Sequence, residues 1–444
     1  MIKLTELKAI SPIDGRYFSK VNFLSHYFSE SALMKYRLQV EVEYFIFLME
    51  NIYEYVDIPK DKLRDLYETF NEVESLKIKV IESDTNHDVK AIEYYLKQKL
   101  IEFGLSEYVE LVHFGLTSQD INNTAIPMMM KDWMEEFYLM KMNRLIDILT
   151  KLSKIWNNIP MLAYTHGQAA SPTILGKEFM VYVQRLNIQV ETLTKIPFTG
   201  KFGGAVGNFN AHHVAYPKVD WQMFADDFLE NRLGLYRQKY TTQIEHYDLL
   251  CSMFDNIRRI NTILIDMSRD IWQYISMDYF KLFHDDNYVG SSTMPHKVNP
   301  IDFENAEGNL GMANAILSHF SEKLPISRLQ RDLTDSTVLR NIGVPMGHTH
   351  VAIESLIYGL ILIDPNKYKL NLDLENNWAV VTEGIQTILR REKYEKPYEK
   401  LKEFSRGKKI TAELISDFID SLEVRDEVKE ELRKINPKNY TGIY

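Results

Sequence analysis

The longest run without glycine or proline, residues 235–289, most constrains what this chain can fold into. Within it, large apolar side chains recur every three or four positions: Leu250, Phe254, Ile257, Ile260, Leu264, Met267, Ile271 and Ile275. This spacing is the period of an amphipathic α-helix. A helix of about 35 residues would be roughly 50 Å long, too long for a small domain to bury. The pattern therefore predicts a bundle of long helices, a form that often includes helices of a partner subunit.

Three more long stretches also lack glycine and proline, which favours helix over turn-rich β structure. They are residues 16–58, 60–103 and 128–159. We therefore predict an all-α fold with three helical domains. The predicted domains are an N-terminal helical domain over 1–110, a central long-helix bundle over 111–364 and a C-terminal helical domain over 365–444.

Glycine and proline gather in three windows, near residues 160–176, 197–217 and 290–311. We expect these windows to be the loops between long helices. Loops that a rigid scaffold holds in place commonly contain functional residues. We therefore expect functional residues in these windows.

Charge and composition narrow the range of partners. The net charge of −10 argues against nonspecific nucleic-acid binding, although a locally basic site for a small anion remains possible. We see neither a signal-peptide core nor an apolar run of about 18 residues, so we predict a cytoplasmic location and no membrane partner. Cys251 is the single cysteine and lies among apolar residues, so we expect a buried structural thiol. Because the histidines lack metal-ligand spacing, we predict no metal site.

The most unusual segment runs from Gly290 to Pro300 and reads GSSTMPHKVNP. A polar surface loop is one interpretation, but histidine, lysine and three hydroxyls interleaved in eleven residues also suit acid–base chemistry. From pKa alone, the base would be His296 or His284, because imidazole titrates near neutral pH.

A second candidate is His166, in the run Thr165-His166-Gly167-Gln168. Ser171 can cap a helix that begins at Pro172, which would place His166 in the loop before that helix. A lone histidine is more often structural than catalytic, so this residue needs support from elsewhere.

Two predicted helix starts have the residues of a capping box. In the first, Thr85 would cap and Asp88 would reach back; in the second, Thr117 and Asp120 would do the same. A helix N-terminus is also a favourable place for an anion. The intervening residues Asn86, His87 and Ser118 are therefore candidate ligands.

The segment 327–340 contains three arginines and two aspartates. The aspartates can partly neutralise the charge of the arginines. A salt-bridged helix start is one interpretation. The other is a phosphate clamp made by Arg331, Ser336 and Arg340, since the planar guanidinium group suits phosphate.

The GSSTMPHKVNP segment resembles the signature loop of the fumarase/aspartase superfamily, GSSxMPxKxNP. Four more segments, residues 11–17, 85–94, 241–245 and 331–341, resemble the bacterial adenylosuccinate lyase family. The resemblance covers essentially the whole chain. One departure is Gln168-Ala169, where many relatives have Gln-Pro. As alternatives, another lyase of the superfamily would need no phosphate clamp, and a non-catalytic scaffold would be expected to lose some of these residues.

The resemblance implies a C–N lyase that releases fumarate from adenylosuccinate and from the succinylated aminoimidazole carboxamide ribotide, with no cofactor. It implies Ser291 as general base and His166 as general acid, and it also places Lys297 and His87 among the catalytic residues. The substrate-binding residues that it implies are Arg16, Tyr17, Asn86, His87, Asp88, Thr117, Ser118, Gln168, Gln243, Ser292, Lys297, Asn299, Asn305, Arg331, Ser336, Thr337 and Arg340. It further implies a homotetramer in which the long helices form a common core and each active site takes loops from three subunits.

Overall fold

The structure, a computed structural model, describes residues 5–53, 56–283, 294, 297–407 and 409–444. Up to Trp133, the α-helices of this part of the chain are α1 Phe18–Val21, α2 Ser25–Phe28, α3 Glu30–Ile52, α4 Lys60–Glu68, α5 Glu72–Thr85, α6 Asp88–Glu102 and α7 Ser118–Trp133. The middle of the chain contains α8 Leu139–Ile155, α9 Leu175–Thr194, α10 Asn210–Ala215, α11 Trp221–Asp227 and α12 Asp248–Ser276. The remaining helices are α13 Ile301–Lys323, α14 Thr334–Leu339, α15 Gly343–Ile361, α16 Lys367–Glu375, α17 Thr382–Arg391, α18 Pro397–Ser405, α19 Ala412–Asp420 and α20 Asp426–Arg433.

Strands are few and short in the described residues, so the all-α prediction is confirmed. β1 Pro160–Thr165 pairs antiparallel with β2 Gln168–Ile174. β3 Thr199–Gly200 pairs in parallel with β4 Tyr236–Arg237, and β5 Phe280–Leu282 pairs antiparallel with β6 Ile363–Pro365.

All three predicted loop windows are wrong in part. Within the window 197–217, β3 and the short helix α10 interrupt the loop. Residues 160–174 form the β1–β2 hairpin, and residues 301–311 belong to α13, which contains Gly308 and Gly311. Neither of these glycines has a positive φ, and a Cβ added at either would meet no heavy atom within 4 Å. The helix therefore tolerates them, although glycine is a poor helix former.

The chain divides into two compact units. The first comprises Met1–Met142, Gln189–Leu264 and Gly308–Glu354. The second comprises Asn143–Ile188, Ile265–Glu307 and Ser355–Tyr444. The boundaries fall inside α8, α9, α12, α13 and α15, so each of these helices contributes one part to each unit. The three-domain division over 1–110, 111–364 and 365–444 stays a prediction.

In the first unit, α3 is the central element. Its middle is buried on every side, because its sequence is apolar around much of the helix, and it packs against α4, α6 and α7. Ser29 begins α3, and its Oγ accepts a hydrogen bond from the Ala32 N–H at 3.1 Å. The helix is therefore held both by its cap and by its core, and it supplies a rigid base for the site described below.

The long helix predicted within 235–289 is α12, which spans 29 residues. The eight apolar residues that predicted it are all buried or nearly so, apart from Ile275. Cys251 lies on this helix and is buried, as expected, and burial raises the pKa of its thiol to about 12. At that pKa the thiol stays protonated and inert at neutral pH.

The C-terminal helices of the second unit share an apolar core of their own, which includes Ile385, Leu389, Ile415, Phe418 and Leu432. The charged residues of this region lie mostly on the surface, in agreement with a solvated face. In the described part of the chain, no helix is both long enough and apolar enough to cross a lipid bilayer.

Candidate active site

The predicted phosphate segment folds as a turn followed by the short helix α14, in the first unit. Arg331 Nη2 donates to Ser336 Oγ at 3.2 Å, so two of the three predicted ligands touch each other. Arg340 follows α14, and its guanidinium contacts Glu30 Oε2 at 2.5 Å and Asp88 Oδ2 at 2.8 Å. Thr337 lies on α14 and is exposed. The structure therefore groups these four residues on one segment and adds two carboxylates beside Arg340.

Asp88 is shared between two arginines. The same Oδ2 atom that contacts Arg340 also lies 2.8 Å from Nη2 of Arg37, a buried residue of α3. Burial alone would raise the pKa of Asp88, but Arg37, the Val89 N–H and Arg340 together outweigh it and keep the pKa below its usual value. Asp88 therefore stays ionised at neutral pH and holds Arg340 in place.

A small cavity of about 70 Å³ opens next to this cluster. Arg37, Arg340 and Ser336 contribute to its wall, together with Gln119 and Asn122 of α7. Apolar side chains, among them Leu33 and Ile126, complete the wall. Two of the three predicted phosphate ligands, Ser336 and Arg340, therefore border a cavity within the first unit.

The helix start at residues 85–88 differs from the prediction. Thr85 is the last residue of α5, and its hydroxyl donates to the Ile81 carbonyl at 3.0 Å, so Thr85 is not a cap. Asn86 ends α5 with a positive φ of 50°. The N-cap of α6 is His87, whose Nδ1 accepts the Lys90 N–H at 3.2 Å, and Asp88 is the first helical residue. The physical reason is that Asn86 tolerates the left-handed conformation, so α5 can end there and α6 begins only after His87.

The second predicted capping box is confirmed. Thr117 begins α7, and Asp120 Oδ2 accepts the Thr117 N–H at 2.8 Å. Asp120 does more than cap, because it also accepts from the N–H groups of Gly203 and Gly204. It forms a fully buried ion pair with Lys201 at 2.8 Å. The start of α7, with Thr117 and Ser118, is thereby tied to the glycine-rich loop 201–207.

Gln243 is attached to the same loop. Its Nε2 donates to the Ala205 carbonyl at 3.1 Å, and its side chain is partly exposed. A Cβ at Gly207, where φ is 77°, would lie 2.7 Å from the Thr241 carbonyl oxygen, so only glycine fits this approach. The loop thus connects two predicted substrate-binding segments of the first unit, Thr117–Ser118 and Gln243.

Arg16 and Tyr17 follow the turn at the N-terminal end of the described chain. The Tyr17 N–H donates to the Pro12 carbonyl at 2.8 Å, while the Arg16 side chain is exposed and that of Tyr17 is half-buried. Gly15 allows this turn, because a Cβ there would lie 2.8 Å from the Glu6 carbonyl oxygen. The contact of Arg16 and Tyr17 with substrate stays a prediction.

In the second unit, His166 occupies the tip of the β1–β2 hairpin. His166 and Gly167 have φ values of 53° and 71°, the pattern of a two-residue type I′ turn. The predicted helix cap is wrong, because Ser171 lies in β2 and its hydroxyl donates to Glu383 Oε2 at 2.5 Å. His166 and Gln168 are both exposed, His166 at the tip of the hairpin and Gln168 at the start of β2.

Ser291, Ser292 and His296 of the GSSTMPHKVNP segment lie outside the described residues, and so does the alternative base His284. Of the described remainder, Lys297 is exposed and its N–H donates to the Met294 carbonyl at 2.9 Å. Asn299 lies two residues before α13 begins. Asn305, on α13, accepts a hydrogen bond from the Ser355 hydroxyl at 2.9 Å.

Several residues next to the site are not predicted by the sequence pattern. Lys201 and Tyr247 are not among the predicted site residues, and Asp120 is predicted only as a cap. His113, four residues before Thr117, was also missed; its Nδ1 lies 2.5 Å from Glu41 Oε1. Burial disfavours the charged form of His113, but the neighbouring carboxylates outweigh it and raise its pKa. A lysine surrounded by glycines in the run TGKFGG was the one signal that could have identified Lys201.

Family models match nearly the whole chain. The model described as Lyase matches residues 15–315, and the model described as Adenylosuccinate lyase C-terminal matches residues 327–441. Two solved structures share the fold: 3-carboxy-cis,cis-muconate lactonizing enzyme from Pseudomonas putida, with a TM-score of 0.75 and 18% identity, and fumarate lyase from Mesorhizobium sp. BNC1, with a TM-score of 0.72 and 16% identity. The first covers 96% of this chain and 95% of its own, and the second 95% of both. Together the helical fold and the Lyase match define the class as a lyase enzyme.

Curated relatives narrow that class further. Adenylosuccinate lyase of Dictyostelium discoideum is 54% identical over 457 aligned positions, which span 100% of this chain and 98% of the relative. The enzyme of the same name from Escherichia coli K12 is 46% identical over 447 positions, and that from Legionella pneumophila Philadelphia 1 is 47% identical; each comparison spans 99% of this chain and 98% of the relative. This chain belongs to the adenylosuccinate lyase family.

Proposed function

We propose that this enzyme releases fumarate from adenylosuccinate, leaving AMP, and from the succinylated aminoimidazole carboxamide ribotide, leaving the free carboxamide ribotide. Both substrates are small phosphoribosyl compounds with a succinyl-amino group. The observation that supports this choice best is the grouping of Arg331, Ser336 and Arg340 on one segment beside a cavity. Guanidinium and hydroxyl groups together suit a phosphate monoester.

A phosphate group distinguishes these two substrates from the substrates of other fumarate-releasing enzymes. Argininosuccinate and aspartate carry no phosphate, so an enzyme for either would have no use for Arg331 and Arg340 in this arrangement. Asp88 and Glu30 hold Arg340 at 2.8 Å and 2.5 Å, which keeps its long side chain ordered before ligand binds. Ordering in advance lowers the entropic cost of binding.

The reaction needs a base for the carbon next to the C–N bond and an acid for the leaving nitrogen. The base removes the proton from the carbon beside one succinyl carboxylate, which leaves a carbanion. The electron pair of the carbanion then forms the new C=C bond as the C–N bond breaks and the nitrogen leaves. We assign the base to Ser291. A serine hydroxyl is a poor base, so this role requires positive charge nearby to stabilise the alkoxide, and Lys297 is our candidate.

The leaving nitrogen must receive a proton, and we assign this role to His166. Its exposed imidazole sits at the tip of a hairpin, and the two-residue turn fixes the backbone from which the ring projects. A positioned acid or base contributes roughly 10²- to 10⁴-fold in rate. His87, the exposed N-cap of α6, is proposed to assist catalysis near the phosphoribosyl end.

The carbanion intermediate places extra negative charge on a succinyl carboxylate. We propose that Thr117 and Ser118 bind one carboxylate at the start of α7, where backbone N–H groups and the helix dipole favour an anion. Ser292, Lys297 and Asn299 would act from the GSSTMPHKVNP segment. Gln243 would contact the middle of the substrate, Gln168 and Asn305 its succinyl side, and Arg16, Tyr17, Asn86 and Thr337 its phosphoribosyl side.

The proposed ligands lie in both units and far apart in the sequence. We propose that the enzyme is a homotetramer whose active sites combine loops from three subunits, and that it acts in the cytoplasm. Light scattering at micromolar concentration should give four chain masses. A fully active monomer would contradict the tetramer.

The decisive experiment mixes purified enzyme with adenylosuccinate and measures AMP and fumarate. Ser291→Ala and His166→Ala are run beside it, and His213→Ala, which removes another exposed histidine, is the control. We expect stoichiometric AMP and fumarate from the wild type and from the control. Both active-site variants should bind substrate and lose turnover.

Two outcomes would contradict the proposal in different ways. Fumarate from argininosuccinate or aspartate, with none from adenylosuccinate, would overturn the substrate and the phosphate clamp. Activity that survives Ser291→Ala but is abolished by His296→Ala would leave the substrate intact and overturn the choice of base.

A further inference from the structure

A buried hydrogen-bond network in the first unit centres on the Tyr247 hydroxyl. This hydroxyl accepts from Asn123 Nδ2 at 2.8 Å and donates to Asp335 Oδ2 at 2.8 Å. The other side of the Asn123 amide, Oδ1, accepts the Glu245 N–H at 3.0 Å. All four side chains are buried, so the network is shielded from solvent.

The network joins three segments to which substrate contacts are assigned above. Asn123 lies on α7, five residues after Ser118. Tyr247 lies four residues after Gln243. Asp335 immediately precedes Ser336 on α14. One phenolic hydroxyl therefore connects the proposed carboxylate end of the site, its middle and its phosphate end.

The connection continues from Asp335 into the phosphate clamp. Asp335 Oδ1 accepts the Ser336 N–H at 2.7 Å, and Ser336 Oγ accepts from Arg331 at 3.2 Å. The two oxygens of one buried carboxylate thus face Tyr247 on one side and the clamp on the other. Burial, and next the Asp335 carboxylate, raise the pKa of Tyr247 well above its usual value, so its hydroxyl remains a donor.

We propose that Tyr247 is a positioning residue for phosphate recognition, because its hydroxyl holds Asp335 and through Asp335 orients Ser336 and Arg331. This inference rests on the proposed function, which assigns the phosphate to that clamp. It goes further by naming a residue outside the site that determines how well the phosphate is bound. Loss of the hydroxyl loosens the clamp and leaves the acid–base chemistry of the succinyl end in place.

The test compares Tyr247→Phe with the wild type on two substrates, adenylosuccinate and its nucleoside form without the 5′-phosphate. Inorganic phosphate serves as a third probe, as a competitive inhibitor. The control is Tyr138→Phe, because Tyr138 is also buried and its hydroxyl has no hydrogen-bond partner among the described residues. Both variants keep the aromatic ring, so neither opens a large cavity.

For Tyr247→Phe we expect KM for adenylosuccinate and the inhibition constant of phosphate to rise roughly tenfold, the effect of losing about one net hydrogen bond. The kcat for adenylosuccinate should stay within about twofold, and kcat/KM for the nucleoside should not change. Tyr138→Phe should alter none of these values. If Tyr247 mattered only for folding, the variant would instead contain less active enzyme, and its activity on both substrates would fall by the same factor.

Equal losses on both substrates, or an unchanged inhibition constant of phosphate, would overturn the inference. If Tyr247→Phe does not fold, Asp335→Asn replaces it, with the same expected pattern and the same contrary outcomes. The wild type provides the separate check on the proposed function. If it released no fumarate from adenylosuccinate, or did not prefer the nucleotide to the nucleoside, the proposed function and this inference would both fail.

Discussion

The Asp120 carboxylate and the Lys201 ammonium group lie 2.8 Å apart, and neither side chain is exposed to solvent. Burial lowers the pKa of Lys201, although Asp120 opposes the effect. Asp120 also accepts backbone N–H bonds from Thr117 and from the loop at Gly203 and Gly204. The pair therefore fastens the proposed carboxylate-binding end of α7 to the glycine-rich loop.

We expect the removal of either partner of this pair to destabilise the protein strongly. Lys201→Met and Asp120→Asn should each lower the free energy of unfolding by about 3–5 kcal/mol, because each leaves a buried charge or its hydrogen bonds uncompensated. The double variant should lose less than the sum of the two single losses. Denaturant unfolding of all four proteins measures this coupling. Strictly additive losses would show that the two groups do not depend on each other.

Arg340 should matter far more for binding than a nearby arginine of the same segment. Arg340→Gln removes a proposed phosphate ligand, and KM for adenylosuccinate should rise roughly 10- to 100-fold, the range for a charged hydrogen bond. Arg328 offers a matched control, since its side chain is 79% exposed and it pairs only with Asp332 among the ion pairs of the described residues. Arg328→Gln should change KM less than about twofold. Similar effects of the two changes would argue against a specific clamp.

Glu245 should give the stability of the enzyme a dependence on pH. Burial raises its pKa to about 7, whereas an unfolded glutamate titrates near about 4.3. Between these values the folded state binds the proton more tightly than the unfolded state does. The contribution of Glu245 to stability therefore decreases as the pH rises from about 4.5 to 7 and is constant above that range.

Glu245→Gln removes this titration. The free energy of unfolding of the variant should therefore rise relative to the wild type between about pH 5 and 7.5, by roughly 3 kcal/mol at most. Thermal unfolding at several pH values measures the difference, with the exposed Glu107→Gln as control. A difference that is the same at every pH would contradict the raised pKa.

Gly115 and Gly104 allow backbone strain to be separated from steric overlap. Both have positive φ values, 70° and 80°. A Cβ at Gly115 would lie 2.7 Å from the ring of the buried His212, whereas a Cβ at Gly104 would meet nothing within 4 Å. Gly104→Ala should cost only about 1 kcal/mol, from the left-handed backbone.

Gly115→Ala should cost several kcal/mol more, because His212 is packed among aromatic rings and cannot move without disturbing them. Urea unfolding of the two variants compares the costs directly. If the free energy of unfolding fell by the same amount in both variants, overlap with His212 would not contribute to the cost of Gly115→Ala.

The helices were predictable from local pattern, and the buried polar contacts were not. The recurrence of apolar residues every three or four positions predicts α12, and the spacing of Thr117 and Asp120 predicts the start of α7. The hairpin around His166 was missed because glycine and proline in that window also suit a loop. His87 was missed as a cap because histidine is not a usual capping residue.

The residues that organise the candidate site were hidden for a different reason. Lys201 and Arg37 are charged, and charged side chains are seldom buried unless they are paired. Lys201 pairs with Asp120 and Arg37 pairs with Asp88. The partners are so far apart in the sequence that no local pattern predicts either pair. Tyr247 likewise gains its significance only when Asn123 and Asp335 meet it in the fold.

The contact of Arg340 with Asp88 and Glu30 has a consequence for the thermodynamics of ligand binding. The enzyme supplies its own counterions to the arginine, so an arriving phosphate exchanges with a tethered carboxylate rather than with a dissolved anion. Dissolved salt screens the attraction between an exposed cation and an approaching anion. Because the phosphate replaces one anionic partner of Arg340 with another, the number of ion pairs changes little, and the affinity of this site should depend only weakly on ionic strength.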